Sequence, residues 1–216
     1  MYLSERLLKI AEDINCDCLA DIGTDHGYIP IFSVQNGACK RAIACDINEG
    51  PLKAARENIK QKGLGENIET RLSNGLEKIK QNEADTIVIA GMGGFLIRDI
   101  LEQGKEKIGD KTILFLQPMV ATAELRGYLT QNGYKIYKEK LAREGEKFYN
   151  ILLVKKGNCP YTEKEILFGK GLENDVNYSD YMDFHKGVIT KIISGLKKSA
   201  NKEDEIEKYE HILNLI

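Results

Sequence analysis

The sequence has no charge bias, no paired cysteines and no long apolar run, and each shortage closes off a class of function. Over 216 residues, 31 Lys and Arg stand against 33 Asp and Glu, a formal net charge of −2. A chain that coats nucleic acid is basic throughout, so any basic surface here must be local. The five cysteines (Cys16, Cys18, Cys39, Cys45 and Cys159) are odd in number, with no CxxC pair and no His-rich partner set. That spacing argues against a metal site, and more strongly against a disulfide framework. The opening MYLSERLLKIAEDI carries charges throughout, unlike a signal peptide or a membrane span. What remains is a globular chain, 42% hydrophobic and 30% charged, expected in the reducing cytoplasm with no metal and no membrane. Its length suits one large domain, or one domain with an appendage.

Short apolar runs alternate with helical patterns up to about residue 155. Leu3, Leu7, Ile10 and Ile14 recur at helical spacing, with Ser4 as N-cap. Residues 18–22 read as a first strand and 30–35 as the start of a helix. Residues 41–45 read as a second strand, closed by Asp46. A helix is expected over 51–62, with Pro51 in its first turn and Leu52, Ala55 and Ile59 on one face. Residues 68–72 make a weaker third strand. The runs 86–90 (TIVIA) and 112–116 (TILFL) are β-branched or apolar throughout, as parallel strands buried on both faces are. A helix over 124–131 leads to runs 134–137 and 149–154, which flank the polar KEKLAREGEK and predict an antiparallel hairpin. The pattern is that of a doubly wound α/β sandwich with a mostly parallel sheet and right-handed crossovers.

From Tyr161 onward only helical periodicity remains. Tyr181, Val188, Ile192 and Leu196 make one apolar stripe, widened by Ile189 and Ile193. Ile206, Tyr209, Leu213 and Ile216 make another, across a polar break at 197–204. Two such helices predict a helical hairpin. The domains are accordingly 1–157 and 158–216.

Ligands of open α/β sheets sit at the carboxyl ends of the strands. The first strand ends in Asp21-x-Gly23-x-x-x-Gly27, with Asp25, His26 and Tyr28 in the same loop. The dinucleotide fingerprint GxGxxG is missing, and a carboxylate both precedes and enters the turn; negative charge repels phosphate. Such a loop suits a cationic amine without a phosphate, as in S-adenosyl-L-methionine. Asp46, ending the second strand, is placed to accept both hydroxyls of a ribose. Asn74, in Ser73-Asn74-Gly75 after the third, can pair with an adenine edge. The fourth strand ends in a small-residue floor, Ala90-Gly91-Met92-Gly93-Gly94, and the fifth in Gln117-Pro118. Each also has a plainer reading: an ordinary turn around Gly23, a helix cap at Asp46, a turn residue at Asn74, an orienting or packing histidine at His26. The basic run of Lys135, Lys138, Lys140, Arg143 and Lys147 reads most simply as a solvated hairpin face.

The order DIGTDHGYIP, ACDINEGPLKAA, RLSNGL, IAGMGG and LQPMVATAELRGYL, closed by EGEKFYNILLV, resembles the bacterial tRNA (adenine-22, N1) methyltransferases. The resemblance covers roughly residues 1–156, and the helical tail is similar to their C-terminal coiled-coil extension. It implies a Rossmann-like class I methyltransferase sandwich, S-adenosyl-L-methionine as donor and tRNA as acceptor. On that resemblance Asp21, Gly23, Thr24, Gly27, Asp46, Ile47, Asn74, Gly75, Gly91 and Met92 are expected at the cofactor. Asp25, His26 and Tyr28 are expected at the chemistry, with Arg6, Lys9, Gln117 and Pro118 at the substrate. Arg6 and Lys9, with Lys186, Lys191, Lys197 and Lys198 of the tail, would contact phosphates. Ring N1 of adenine carries a lone pair and no proton at neutral pH, so alignment rather than a strong base is the enzyme's task. The (Asp/Asn)-Pro-Pro-aromatic motif common to exocyclic-amine methylation is missing after the fourth strand, which favours ring-nitrogen chemistry. The alternative is a class I methyltransferase acting on a small molecule. A monomer is expected.

Overall fold

Ser4 caps the first helix as its sequence position predicts: its side chain accepts a hydrogen bond from the Leu7 N–H, and α1 runs Glu5–Ala11. The computed structural model describes residues 3–216. The chain divides into two units, one ending at Pro160 and the other spanning Tyr161–Ile216.

In the first unit β1 (Cys16–Ile22), β2 (Cys39–Asp46), β3 (Ile68–Leu72), β4 (Thr86–Met92) and β5 (Ile113–Pro118) run parallel. Two antiparallel strands, β6 (Tyr134–Glu144) and β7 (Lys147–Lys156), complete the sheet. The strand order β3-β2-β1-β4-β5-β7-β6 reverses beside β1, which opens a crevice at the ends of β1 and β4. The doubly wound expectation is borne out. The central strands are apolar because both faces are covered: Leu19, Ala20, Ala44, Ile87, Val88, Ile89 and Leu116 are fully buried. Each large aliphatic among them contributes about 1.5–3 kcal/mol of burial. Helices α2 (Tyr28–Gln35) and α3 (Glu49–Gln61) lie with α1 over the face that carries Leu19, Val88, Phe115 and Leu153. Leu52, Ala55 and Ile59 of α3 are buried as their spacing predicts.

Three differences from the sequence reading have physical reasons. First, α4 (Gly94–Gln103) follows the glycines that the sequence suggested were only a floor; it packs against α5 (Thr122–Gln131). It has Gly93 at its N-cap and no capping side chain, so it lacks the usual start signal. Second, most of KEKLAREGEK is strand, and the turn is confined to Gly145 and Glu146. Third, Glu139 and Lys140 in that segment are buried, so it is not simply a solvated face. Glu139 Oε2 accepts from Arg126 Nε at 3.0 Å and Nη2 at 2.9 Å, while Lys140 reaches Glu12 at 3.0 Å and Asp13 at 2.8 Å.

In the second unit, α7 (Tyr178–Leu196) and α8 (Glu203–Asn214) pack together, joined by a Lys197–Glu210 ion pair of 2.8 Å. A further short helix, α6 (Glu163–Phe168), begins at a capping box between Thr162 and Glu165. The buried row of α7 is Tyr181, Met182, Ile189 and Ile193, and Val188 faces outward. A wide apolar band offers two overlapping rows, and the fold buries this one.

Candidate active site

The turn after β1 is built by residues that need left-handed backbone. Gly23 (φ 75), His26 (φ 57) and Gly27 (φ 69) all have positive φ, which glycine adopts freely and His at a cost. The Gly23 and Thr24 N–H groups both donate to the Cys45 carbonyl at 2.8 Å, pinning the turn to the end of β2. The Asn58 side-chain amide donates to the His26 carbonyl at 2.9 Å. These bonds fix where Asp21, Asp25 and Tyr28 point.

Two cavities meet over this turn. The larger, about 320 Å³, is lined by Asp46, Ile47, Asn74, Gly75, Met92 and Leu96 among others. The smaller, about 210 Å³, is lined by Arg6, Asp21, Asp25, Tyr28 and Ile29 among others. Gly23, Ala90 and Gly91 line both, so the two are halves of one crevice at the switch point. The Met92 side chain lies across the join: a Cβ on Gly23 would sit 2.0 Å from Met92 Cε.

Three carboxylates descend through the crevice. Asp21 is buried at its floor and accepts a 2.6 Å hydrogen bond from the Thr24 hydroxyl. Burial pushes its carboxyl up from 3.8 to about 6, and the nearby Asp46 and Asp25 act in the same direction. Asp46 is half-buried and accepts from the Asn48 N–H at 2.7 Å. Asp25 is exposed, 3.2 Å from His26 Nε2, and the His26 ring stacks on Tyr28 at 5.2 Å. Arg6, in the same lining as Asp21 and Asp25, is held in place: its Nη1 donates to Gln117 Oε1 at 2.6 Å, its backbone N–H to Glu144 at 3.0 Å, and its guanidinium lies 5.6 Å from the Tyr149 ring centre.

Residues 3–152 match the methyltransferase-domain family. The Bacillus subtilis tRNA (adenine(22)-N(1))-methyltransferase is 42% identical over 159 residues, covering 73% of this chain and 67% of that protein. The chain belongs to the tRNA (adenine-22, N1) methyltransferase family. The crystal structure of the B. subtilis m1A22 tRNA methyltransferase superposes with a TM-score of 0.90 at 32% identity, over 99% of this chain and 97% of that one. A Streptococcus pneumoniae protein solved in complex with S-adenosyl-L-methionine gives 0.85 at 33%, over 98% and 100%.

The residues expected at the site fall into separate groups. Asp46, Ile47, Asn74, Gly75 and Met92 line the larger half of the crevice, and Asp21, Asp25, Tyr28 and Arg6 the smaller. Thr24 is buried behind Asp21 and acts through it. Gly27 faces α3, where an added Cβ would meet Ala55 Cβ at 3.3 Å. Two expected substrate residues are placed differently: Gln117 and Pro118 are buried. Gln117 Oε1 accepts from Arg6 and, at 3.1 Å, from the Gly91 N–H, while its Nε2 donates to the Pro118 carbonyl at 2.8 Å. Its amide is thus committed to Arg6, Gly91 and Pro118 within the protein. Lys9 pairs with Glu12 at 3.2 Å, outside the crevice lining. Sequence reasoning missed Glu144 and Tyr149, which hold Arg6 from the hairpin. Only the fold brings them to α1.

Proposed function

We infer that the chain is an S-adenosyl-L-methionine-dependent tRNA methyltransferase acting on N1 of adenine 22. Asp21 carries the reading: a buried carboxylate at the floor of a crevice, destabilised as an anion and answered by a hydroxyl, suits a cationic amine. Asp46 suits a ribose diol, and Ile47 with Asn74 an adenine. The donor set fits the cofactor. When bound, S-adenosyl-L-methionine supplies a sulfonium methyl electrophilic enough for the adenine N1 lone pair to take it directly.

The chain's own residues then orient and neutralise. Gly23, pinned to Cys45, keeps the floor of the crevice low enough for close approach. Tyr28 and His26 offer a stacked aromatic wall for the base. Asp25 stands at the mouth, where it favours the positive charge that methylation leaves on the ring. Residues 1–157 hold cofactor and target base, and 158–216 supply phosphate contacts through Lys186, Lys191, Lys197 and Lys198. Extruding a base from the tRNA core requires it to leave its stack. The enzyme works as a monomer in the cytoplasm.

The test incubates purified protein with unmodified bacterial tRNA and S-adenosyl-L-methionine, then digests the RNA and identifies nucleosides by mass spectrometry. 1-Methyladenosine mapped to position 22 is the expected product. Cofactor binding without transfer to tRNA would move the assignment to a small-molecule methyltransferase.

A further inference from the structure

We propose that Phe95, Leu96, Met119 and Val120 form a stacking platform for a tRNA base that neighbours the target adenine; this rests on the tRNA methyltransferase reading. Their exposures are 50%, 52%, 45% and 66%, high for large apolar side chains. Isolated apolar residues at a surface need no explanation, but a contiguous group beside a reaction crevice does.

The group is contiguous and rigid. The Gly94 N–H donates to the Val120 carbonyl at 2.8 Å, and the Met119 N–H to the Met92 carbonyl at 2.8 Å. A Cβ on Gly94 would stand 2.2 Å from the Ala121 carbonyl oxygen, so only glycine lets the 119–121 loop lie this close to α4. Ala121 is itself left-handed, at φ 57, an unfavourable conformation for a residue with a Cβ. Backbone strain of this kind concentrates at functional sites, and here it belongs to a loop that turns Met119 and Val120 outward.

The patch also breaks the amphipathic pattern of its helix. Ile97, Ile100 and Leu101 form the buried face of α4, so positions 95 and 96 would ordinarily be polar.

Position and charge identify the occupant. Leu96 lines the larger half of the crevice, so the platform continues from the cofactor site outward. Arg98 lies 5.2 Å from the Phe95 ring centre and pairs with Asp99 at 2.8 Å. The guanidinium lies over one face of the ring and leaves the other to a base, and stacked aromatic and guanidinium groups are how proteins hold unstacked bases. Extruding one adenine exposes the face of the next base, and this surface borders the crevice through Leu96.

The test measures tRNA affinity over a salt series for the wild-type protein, Phe95→Ala, Phe95→Trp and the triple variant Lys186→Gln/Lys191→Gln/Lys198→Gln, with cofactor affinity measured in parallel. Losing a base–aromatic stack weakens binding roughly 5- to 150-fold. Phe95→Ala should show that loss at every salt concentration with an unchanged slope of log K against log salt, because Phe95 neutralises no phosphate. Phe95→Trp should retain affinity, and the lysine variant should lower the slope. Unaltered tRNA affinity in Phe95→Ala, or an equal loss of cofactor affinity, overturns the platform. A wild-type dimer that Phe95→Ala dissociates overturns it too, making the patch a contact between copies. Failure of the wild-type protein to methylate tRNA would instead remove the activity on which the proposal rests, and the platform with it.

Discussion

Replacing Asp21 with Asn should stabilise the protein without cofactor while crippling cofactor binding. The Asp21 carboxyl is buried and raised from 3.8 to about 6. That displacement corresponds to about 3 kcal/mol of disfavoured ionisation at neutral pH. Because the folded-state value is the higher one, the folded protein holds the proton that the unfolded chain has already released between 3.8 and about 6. Stability from this group is therefore full below that window, is lost as pH rises through it, and stays lost above. Asparagine keeps an oxygen for the Thr24 hydroxyl and removes the charge, so about 3 kcal/mol is an upper bound on the gain at pH 7. At about 2–4 °C per kcal/mol for a chain of this size, the thermal midpoint should rise by several degrees. The cationic cofactor needs the ionised form, so wild-type affinity should strengthen as pH climbs through about 6, and the Asn variant should lose both that dependence and most of its affinity. Thermal melts from pH 5 to 8 and calorimetric titration of S-adenosyl-L-methionine measure both. An Asn variant that melts lower at pH 7 and binds cofactor normally would refute the reasoning.

Gly23→Ala forces an unfavourable φ costing about 1–2 kcal/mol and drives a methyl into Met92 Cε, 2.0 Å away. Because the thioether end can swing, the melt should fall modestly while titration shows cofactor affinity down by about tenfold or more. Asp25→Ala should leave cofactor affinity intact and lower single-turnover methylation by roughly tenfold, because the carboxylate is exposed in the free protein and gains strength only where bound tRNA excludes water. Unchanged turnover would remove Asp25 from the chemistry. Arg126→Met removes the Arg126 partner of the buried Glu139 carboxylate, with exposures of 0% and 1% for the pair, and should cost about 3–5 kcal/mol in denaturant titrations. Adding Glu139→Leu should recover most of that loss. Lys186→Gln, Lys191→Gln and Lys198→Gln together should reduce the salt slope of tRNA binding by about 0.9 for each phosphate that these lysines neutralise.

What the sequence showed well was what local rules control. The third strand, at Ile68–Leu72, and the buried face of α3 follow from β-propensity and 3.6-residue spacing. The acids at the ends of β1 and β2 were legible because strand-end position is a topological rule, independent of packing detail. What escaped depends on distant partners. Lys140 looked like a surface residue because Glu12 and Asp13, which neutralise it, lie at the other end of the domain in sequence. Gln117 stands at the strand end that its sequence position predicts, but the direction of its side chain is not legible there. Its amide turns inward because Arg6 and the Gly91 N–H both need an acceptor there. Arg6 reaches the crevice only because α1 docks on β6 and β7, an arrangement no spacing rule encodes.

The carboxylates share one electrostatic task at two depths. Methyl transfer to adenine N1 neither creates nor destroys positive charge within the crevice; it moves a charge from sulfur toward the base. Acids placed only at the floor would favour the reactant side if, as proposed, Asp21 receives the cationic amine. Asp25 at the mouth acts from the other end. It is 79% exposed, so its attraction for the ring is weak in water. A tRNA that covers the mouth would exclude that water and strengthen the attraction at the moment the charge arrives. Arg6, anchored by Gln117, lines the same half of the crevice as Asp21 and Asp25, and a fixed cation disfavours the ring's new charge beside it. The crevice thus sets acids at two depths beside one fixed cation, and bound tRNA should increase catalysis beyond what proximity alone provides.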